Sequence, residues 1–145
     1  MKVMFAPLAL AGIMAWPIPV LAQNIAPGAA LYQAFGEKPG ISLLMDDFVN
    51  RLFADPRIAA MFKNSKPANL KEQLTDQVCQ LTGGPCKYEG DTMKVAHTDL
   101  GIRKADFNAL VEILQASMAA RDIPFHTQNR LLTLLAPMHR DIITQ

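Results

Sequence analysis

Gly40-Ile41-Ser42-Leu43-Leu44-Met45-Asp46-Asp47-Phe48-Val49-Asn50-Arg51-Leu52-Phe53-Ala54-Asp55-Pro56 is the stretch on which the fold turns. Ile41, Leu44, Met45, Phe48 and Leu52 recur at i, i+3, i+4, i+7 and i+11, which lays one apolar stripe along one face of an α-helix. Gly36, Pro39 and Gly40 punctuate its start. Asp55-Pro56 ends it, because the residue before a proline avoids helical angles.

Outward from this helix the same period returns. A short turn, Arg57 to Phe62, carries Ile58, Met61 and Phe62. Ser65-Lys66-Pro67 opens a second helix, since the missing N–H of proline costs nothing in a first turn. Leu70, Leu74, Val78 and Leu81 would share one side of it, and Gly83-Gly84-Pro85 would stop it. From Cys86 to Ile102 the period fades, leaving one helical turn around Met93 to Thr98. Two long helices follow, one with Phe107, Leu110, Val111, Leu114 and Met118, the other with Leu131, Leu134, Leu135, Met138 and Ile142. Ile123-Pro124 separates them. No segment alternates with a period of two, and there is no internal repeat or low-complexity run. The expected fold class is all-α.

Upstream, the first 22 residues read as an address. Lys2 is the positive start, Val3 to Trp16 is apolar, and Pro17 and Pro19 break that run before Val20-Leu21-Ala22. Small residues at Val20 and Ala22 suit a leader peptidase, with Gln23 as the new N-terminus. An uncleaved anchor is the rival reading. The uninterrupted apolar stretch is shorter than the roughly 20 residues a span needs, and no basic cluster follows it. Export to the periplasm is expected, with no stable membrane insertion once the leader is gone. Residues 23–29 form a polar Pro/Gly arm without periodicity, expected to be mobile.

The 145 residues are half apolar, enough for one compact domain, and carry 14 Lys+Arg against 13 Asp+Glu. Without Lys2 the balance is 13 to 13, and no basic run tracks a nucleic-acid backbone. A nucleic-acid partner is excluded on this ground. Cys79 and Cys86 are the two cysteines; in an oxidising compartment such a pair is expected to form a disulfide, and in a reducing one to stay as thiols. His97, His126 and His139 do not fall at finger-like spacings, so a zinc site is not indicated.

The chemistry concentrates between the glycine break and the last two helices, where Tyr88, Met93, Lys94 and His97 lie in an irregular segment. By spacing alone His97 is open to three readings: a solvated loop residue, a satisfied core residue, or a ligand to a metal or haem. The wider pattern narrows them. Leu31-Tyr32, Gly36, Asp47-Phe48, Ala54-Asp55-Pro56-Arg57, Phe62, Gly83-Gly84-Pro85, Tyr88-Glu89-Gly90, Met93-Lys94-Val95-Ala96-His97, Gly101-Ile102, Ala136-Pro137 and Asp141-Ile142 resemble group I truncated haemoglobins, from about Ala30 to Ile143. The resemblance implies a globin domain over 30–145 with a two-over-two helical sandwich.

It also implies roles. His97 matches the proximal histidine that binds haem iron, with Met93 in the same block. Phe62 matches the corner phenylalanine on the haem face, and Tyr88 and Lys94 match positions near the haem edge and its propionates, where each is equally open to being simply exposed. The haem would be haem b, held non-covalently, because covalent attachment through cysteine needs C-x-x-C-H and neither cysteine adjoins His97. The departures matter as much. Val49 and Leu74 replace the tyrosine and glutamine that many members aim at bound O2, and Leu70 holds the usual distal site. Gln73 takes the place of a distal histidine found in some relatives, with Gln77 one turn on; each is either a polar reach-in or a solvated residue.

The implied function is binding or carriage of O2 or another diatomic gas (CO, NO) at a His-ligated iron. Oxidation of nitric oxide or weak peroxidase turnover would need an electron donor that the sequence does not name. Two other classes compete: a haem-based redox or sensing module, and a haem-free helical interaction protein in which His97 is structural. The export reading has its own test. Intact mass or N-terminal sequencing of the protein recovered from the periplasm should show Gln23 first; a protein that keeps Met1 or stays in the cytosol overturns it.

Overall fold

The computed structural model describes residues 28–145, so the leader and most of the arm, residues 1–27, lie outside the described residues. The chain runs α1 (Ala29–Ala34), α2 (Glu37–Ala54), a 3-10 turn (Ala59–Phe62), α3 (Pro67–Leu81), α4 (Met93–Ala96), α5 (Lys104–Ala120), α6 (Phe125–Leu135), a second 3-10 turn (Ala136–Met138) and α7 (His139–Ile142). No strand occurs among the described residues. The fold is all-α.

Helix α2 is the middle of the molecule. Its stripe of Ile41, Leu44, Met45, Phe48 and Leu52 is buried throughout, with Val49 beside it. One flank packs on α3 and another on α5; α5 in turn packs on α6, which gives two helix pairs laid one over the other. The helix begins earlier than its glycines suggest. Gly36 adopts a left-handed φ of 76° just before it, and Pro39 falls in the first turn, where no intrahelical N–H bond is lost.

On α3 two faces separate. Thr75, Val78 and Cys79 are buried in the core, whereas Leu70, Leu74 and Leu81 stay half-covered on an adjacent stripe. Helix α5 does the same: Ala109, Ile113, Leu114, Ser117 and Met118 go deep, and Phe107, Leu110 and Val111 are half-buried. The final apolar stripe does not continue as one helix. Pro137 cannot donate into an α-helical ladder, so α6 stops at Leu135, a 3-10 turn follows, and Leu134 is left exposed.

The segment between α3 and α4 is irregular yet tightly tied. The Gly84 N–H donates to the Cys79 carbonyl at 2.8 Å, and the Tyr32 N–H of α1 donates to the Thr82 carbonyl at 3.0 Å. The sulfurs of Cys79 and Cys86 are bonded, with Cα atoms 5.7 Å apart. A Cβ at Gly84 would lie 2.6 Å from Cys79 Sγ and from the Tyr32 ring, so only glycine passes this point. One residue beyond Cys79, the Gln80 side-chain oxygen accepts from the Tyr88 N–H at 2.6 Å, and the Tyr88 hydroxyl donates to the Asp91 carbonyl at 2.8 Å. The sulfur bond and the Gln80–Tyr88 contact bring the chain back along α3 before α4 begins.

Breaking the sulfur bond should therefore loosen a defined segment. Replacing both cysteines by serine should lower the unfolding free energy in urea by about 2.5 kcal/mol, the chain-entropy value for so short a loop. Two alkylatable thiols in the protein purified without reductant, or an unchanged urea midpoint, would show that the bond plays no part.

Candidate functional site

Helix α4 is only four residues long and exists because Thr92 caps it, its hydroxyl accepting from the Val95 N–H at 3.3 Å. His97 closes it. Its Nδ1 lies 2.6 Å from the Met93 carbonyl, which also accepts the His97 backbone N–H at 3.1 Å. A carbonyl has no proton to give, so Nδ1 must be the donor. In the neutral ring the lone pair is then on Nε2.

The ring is half-buried, unlike those of His126 and His139, which are exposed. His139 makes a similar bond, Nδ1 to the Ala136 carbonyl at 2.8 Å, but on the outer surface of the chain's last turns. Among the described residues no three His, Cys, Asp or Glu side chains converge to cage a metal. A single imidazole can serve a metal whose remaining ligands come from a cofactor such as a porphyrin. Elsewhere on the fold a set of apolar side chains is only partly covered. Met61, Phe62, Leu70, Leu74, Leu110 and Leu135 pack against the core while keeping part of their surface uncovered. The Phe62 ring is steadied by Phe53, 5.8 Å away and tilted by 42°.

The residues singled out in sequence divide clearly. Val49 is buried to 3% exposure, and Leu70 and Leu74 form the half-covered stripe of α3. Gln73 is exposed. Gln77 is 8% exposed, and its Nε2 lies 3.5 Å from the Met93 sulfur. Tyr88 is occupied at both its N–H and its hydroxyl, and burial, with the Asp91 charge second, pushes its phenol above the usual tyrosine range. Lys94 is exposed and makes no ion pair among the described residues, which leaves its ammonium available to an anionic group. Met93 is half-buried and occupied twice, by its carbonyl at His97 and by its sulfur at Gln77.

Two pairs of stacked helices, with a half-buried histidine closing the short helix between α3 and α5, are the layout of a shortened globin. The chain belongs to the bacterial-like globin family, whose profile matches residues 30–144. It is 26% identical over 116 residues to the group 1 truncated hemoglobin GlbN of Mycolicibacterium paratuberculosis, covering 80% of this chain and 85% of that one. It is 29% identical over 126 residues to the group 1 truncated hemoglobin GlbN of Synechocystis sp., covering 81% and 99%. The Fe(III) truncated hemoglobin of Tetrahymena pyriformis superposes with a TM-score of 0.76 at 24% identity, covering 79% of this chain and 98% of that one. The 2/2 hemoglobin of Synechococcus sp. PCC 7002, described in its cyanomet state with covalently attached heme, gives 0.74 at 23%, with the same coverage. The fold is therefore the two-over-two helical sandwich.

His97→Ala should abolish the ferrous histidine-ligated spectrum and recover part of it on addition of imidazole. A spectrum that survives in His97→Ala but is lost in His139→Ala would move the ligand to α7.

Proposed function

We infer that the chain is a haem-binding globin that takes O2 or another diatomic gas at a His97-ligated iron. The observation that carries this is the bond from His97 Nδ1–H to the Met93 carbonyl, which in the neutral ring leaves the Nε2 lone pair for a metal. Haem, when bound, supplies the iron to which the gas binds. The protein's part is to hold the imidazole, to cover the apolar macrocycle with Phe62, Leu70 and Leu74, and to offer Lys94 to a propionate. Absorption spectra of the purified chain in ferric, ferrous and CO forms test it, and absence of a Soret band would leave only a haem-free helical protein.

The haem is proposed to be haem b, held without a covalent bond through cysteine. Cys79 and Cys86 are bonded to each other, so neither offers a thiol to a vinyl group. Extraction into acidified organic solvent should release the pigment completely; pigment retained on the polypeptide would mean attachment through another side chain. Export is proposed on the reading of the leader, and the Cys79–Cys86 bond is in keeping with an oxidising compartment.

The distal side sets ligand preference. Val49, Leu70 and Leu74 bring only hydrocarbon, Gln73 is exposed, and the Gln77 amide is turned to a sulfur. An O2 ligand draws negative charge as it binds and gains roughly 1–3 kcal/mol from a hydrogen-bond donor, whereas CO gains much less. The wild type should thus release O2 quickly and autoxidise readily while holding CO well. Val49→Tyr, with Leu74→Gln if needed, should slow O2 release on the order of 10-fold or more, with little change for CO. Slow wild-type O2 release that Gln73→Leu accelerates would show that this glutamine swings inward, and nitric oxide oxidation would then become the favoured activity.

A further inference from the structure

On α3, positions 70, 74, 77 and 81 fall within about 60° of one another around the helix, so Gln77 is the one polar member of the stripe that Leu70, Leu74 and Leu81 complete. A buried amide on an apolar stripe is costly unless its donors are used. The partner it has is a thioether, a weak acceptor, at 3.5 Å. That thioether belongs to Met93, whose carbonyl accepts the His97 Nδ1 proton at 2.6 Å.

We propose that Gln77 is a positioning residue for the iron ligand: its amide holds the Met93 side chain, and Met93 in turn fixes the orientation of the His97 imidazole. The inference rests on the haem reading above, and joins the helix that covers one side of the cofactor to the residue that ligates it from the other. Met93 is the first residue of a four-residue helix. So short a helix cannot hold its own course, because nucleation is unfavourable and a single turn repays little of its cost. Its direction must be set from outside. The sulfur bond and the Gln80–Tyr88 contact fix the chain only as far as Tyr88, and the Tyr88 hydroxyl reaches Asp91. Gln77 extends the same brace by one more step, onto α4 itself. A firmly held Nδ1–H···O bond makes the imidazole a stronger donor to iron. Loss of the Gln77 contact leaves the carbonyl in place but lets it wander.

The contact is tested on the reconstituted full-length mature protein with Gln77→Met, which keeps length and volume and removes the donor. Met93→Leu removes the acceptor from the other side. Each should shift the ferrous iron–histidine stretching band to lower wavenumber and speed haem transfer to an acceptor globin on the order of 5-fold. The double variant should go no further than either single one, since both break one contact. Single-variant bands identical to wild type, or effects that add in the double variant, overturn the proposal. So does a Gln77→Met protein with altered O2 release and an unmoved iron–histidine band, because Gln77 would then serve the gas ligand. A wild type that shows no histidine-ligated Soret band fails the functional reading itself, an outcome separate from these.

Discussion

One proton decides what His97 can do. On the proposed reading of His97 as the iron ligand, Nε2 must offer a lone pair, and in the neutral ring an acceptor at Nδ1 that can never be a donor puts the lone pair there. The Met93 carbonyl, 2.6 Å away, is that acceptor. Everything between Leu81 and His97 can be understood as the means of keeping this carbonyl in place. The segment has too little regular structure to do so by itself, and it is anchored backwards onto α3 by a covalent bond, by Gln80 and by the buried amide of Gln77. Helices α2 and α3, packed on each other, thus lend order through these ties to a four-residue helix that also packs on α7.

The same economy explains why the apolar residues are not all in the core. Helices α3 and α5 each carry more hydrocarbon than one contact face needs. Thr75, Val78 and Cys79 on α3, and Ile113, Leu114 and Met118 on α5, close the inner seam. The adjacent stripes remain half-covered. Apolar surface kept partly open costs stability, and on the proposed reading a flat apolar cofactor would recover that cost by covering it. Folding and haem binding are in this sense linked, since a ligand that binds only the folded state stabilises it by mass action.

How much of this was legible in the sequence depends on how one-sided each helix is. The α2 stripe was read in full, because a central helix gripped on two flanks buries what its period predicts. The single turn at Met93 and the glycine stop at Gly83 were legible from their punctuation. Helix α1 was not, since Ala29–Ala34 is too short to show a period. On α3 the apolar pattern placed Val78 on the same side as Leu70 and Leu74, whereas Val78 lies in the core and Gln77 completes the half-covered stripe. A glutamine carries no hydropathy signal for burial; only its register, seven residues from Leu70 and three from Leu74, gave a hint. Gln73 lies further round the outer flank, and helical geometry alone favours Gln77 over it. The hydrogen bonds of Tyr88 to Gln80 and to the Asp91 carbonyl tie its own loop together, a part that its sequence position did not announce.

The Cys79–Cys86 bond spans only seven positions, and this bears on how the protein is made. Closing a loop of about ten residues takes on the order of 10–100 ns in an unfolded chain, so the two sulfurs meet long before any long-range packing. With two cysteines there is one intramolecular pairing and no wrong one to undo. Oxidation therefore need not wait for the fold and calls for no shuffling enzyme. In an oxidising compartment, a chain that is still unfolded can take on the same covalent tie that the folded one has, and the tie adds no topological constraint on how the helices later pack.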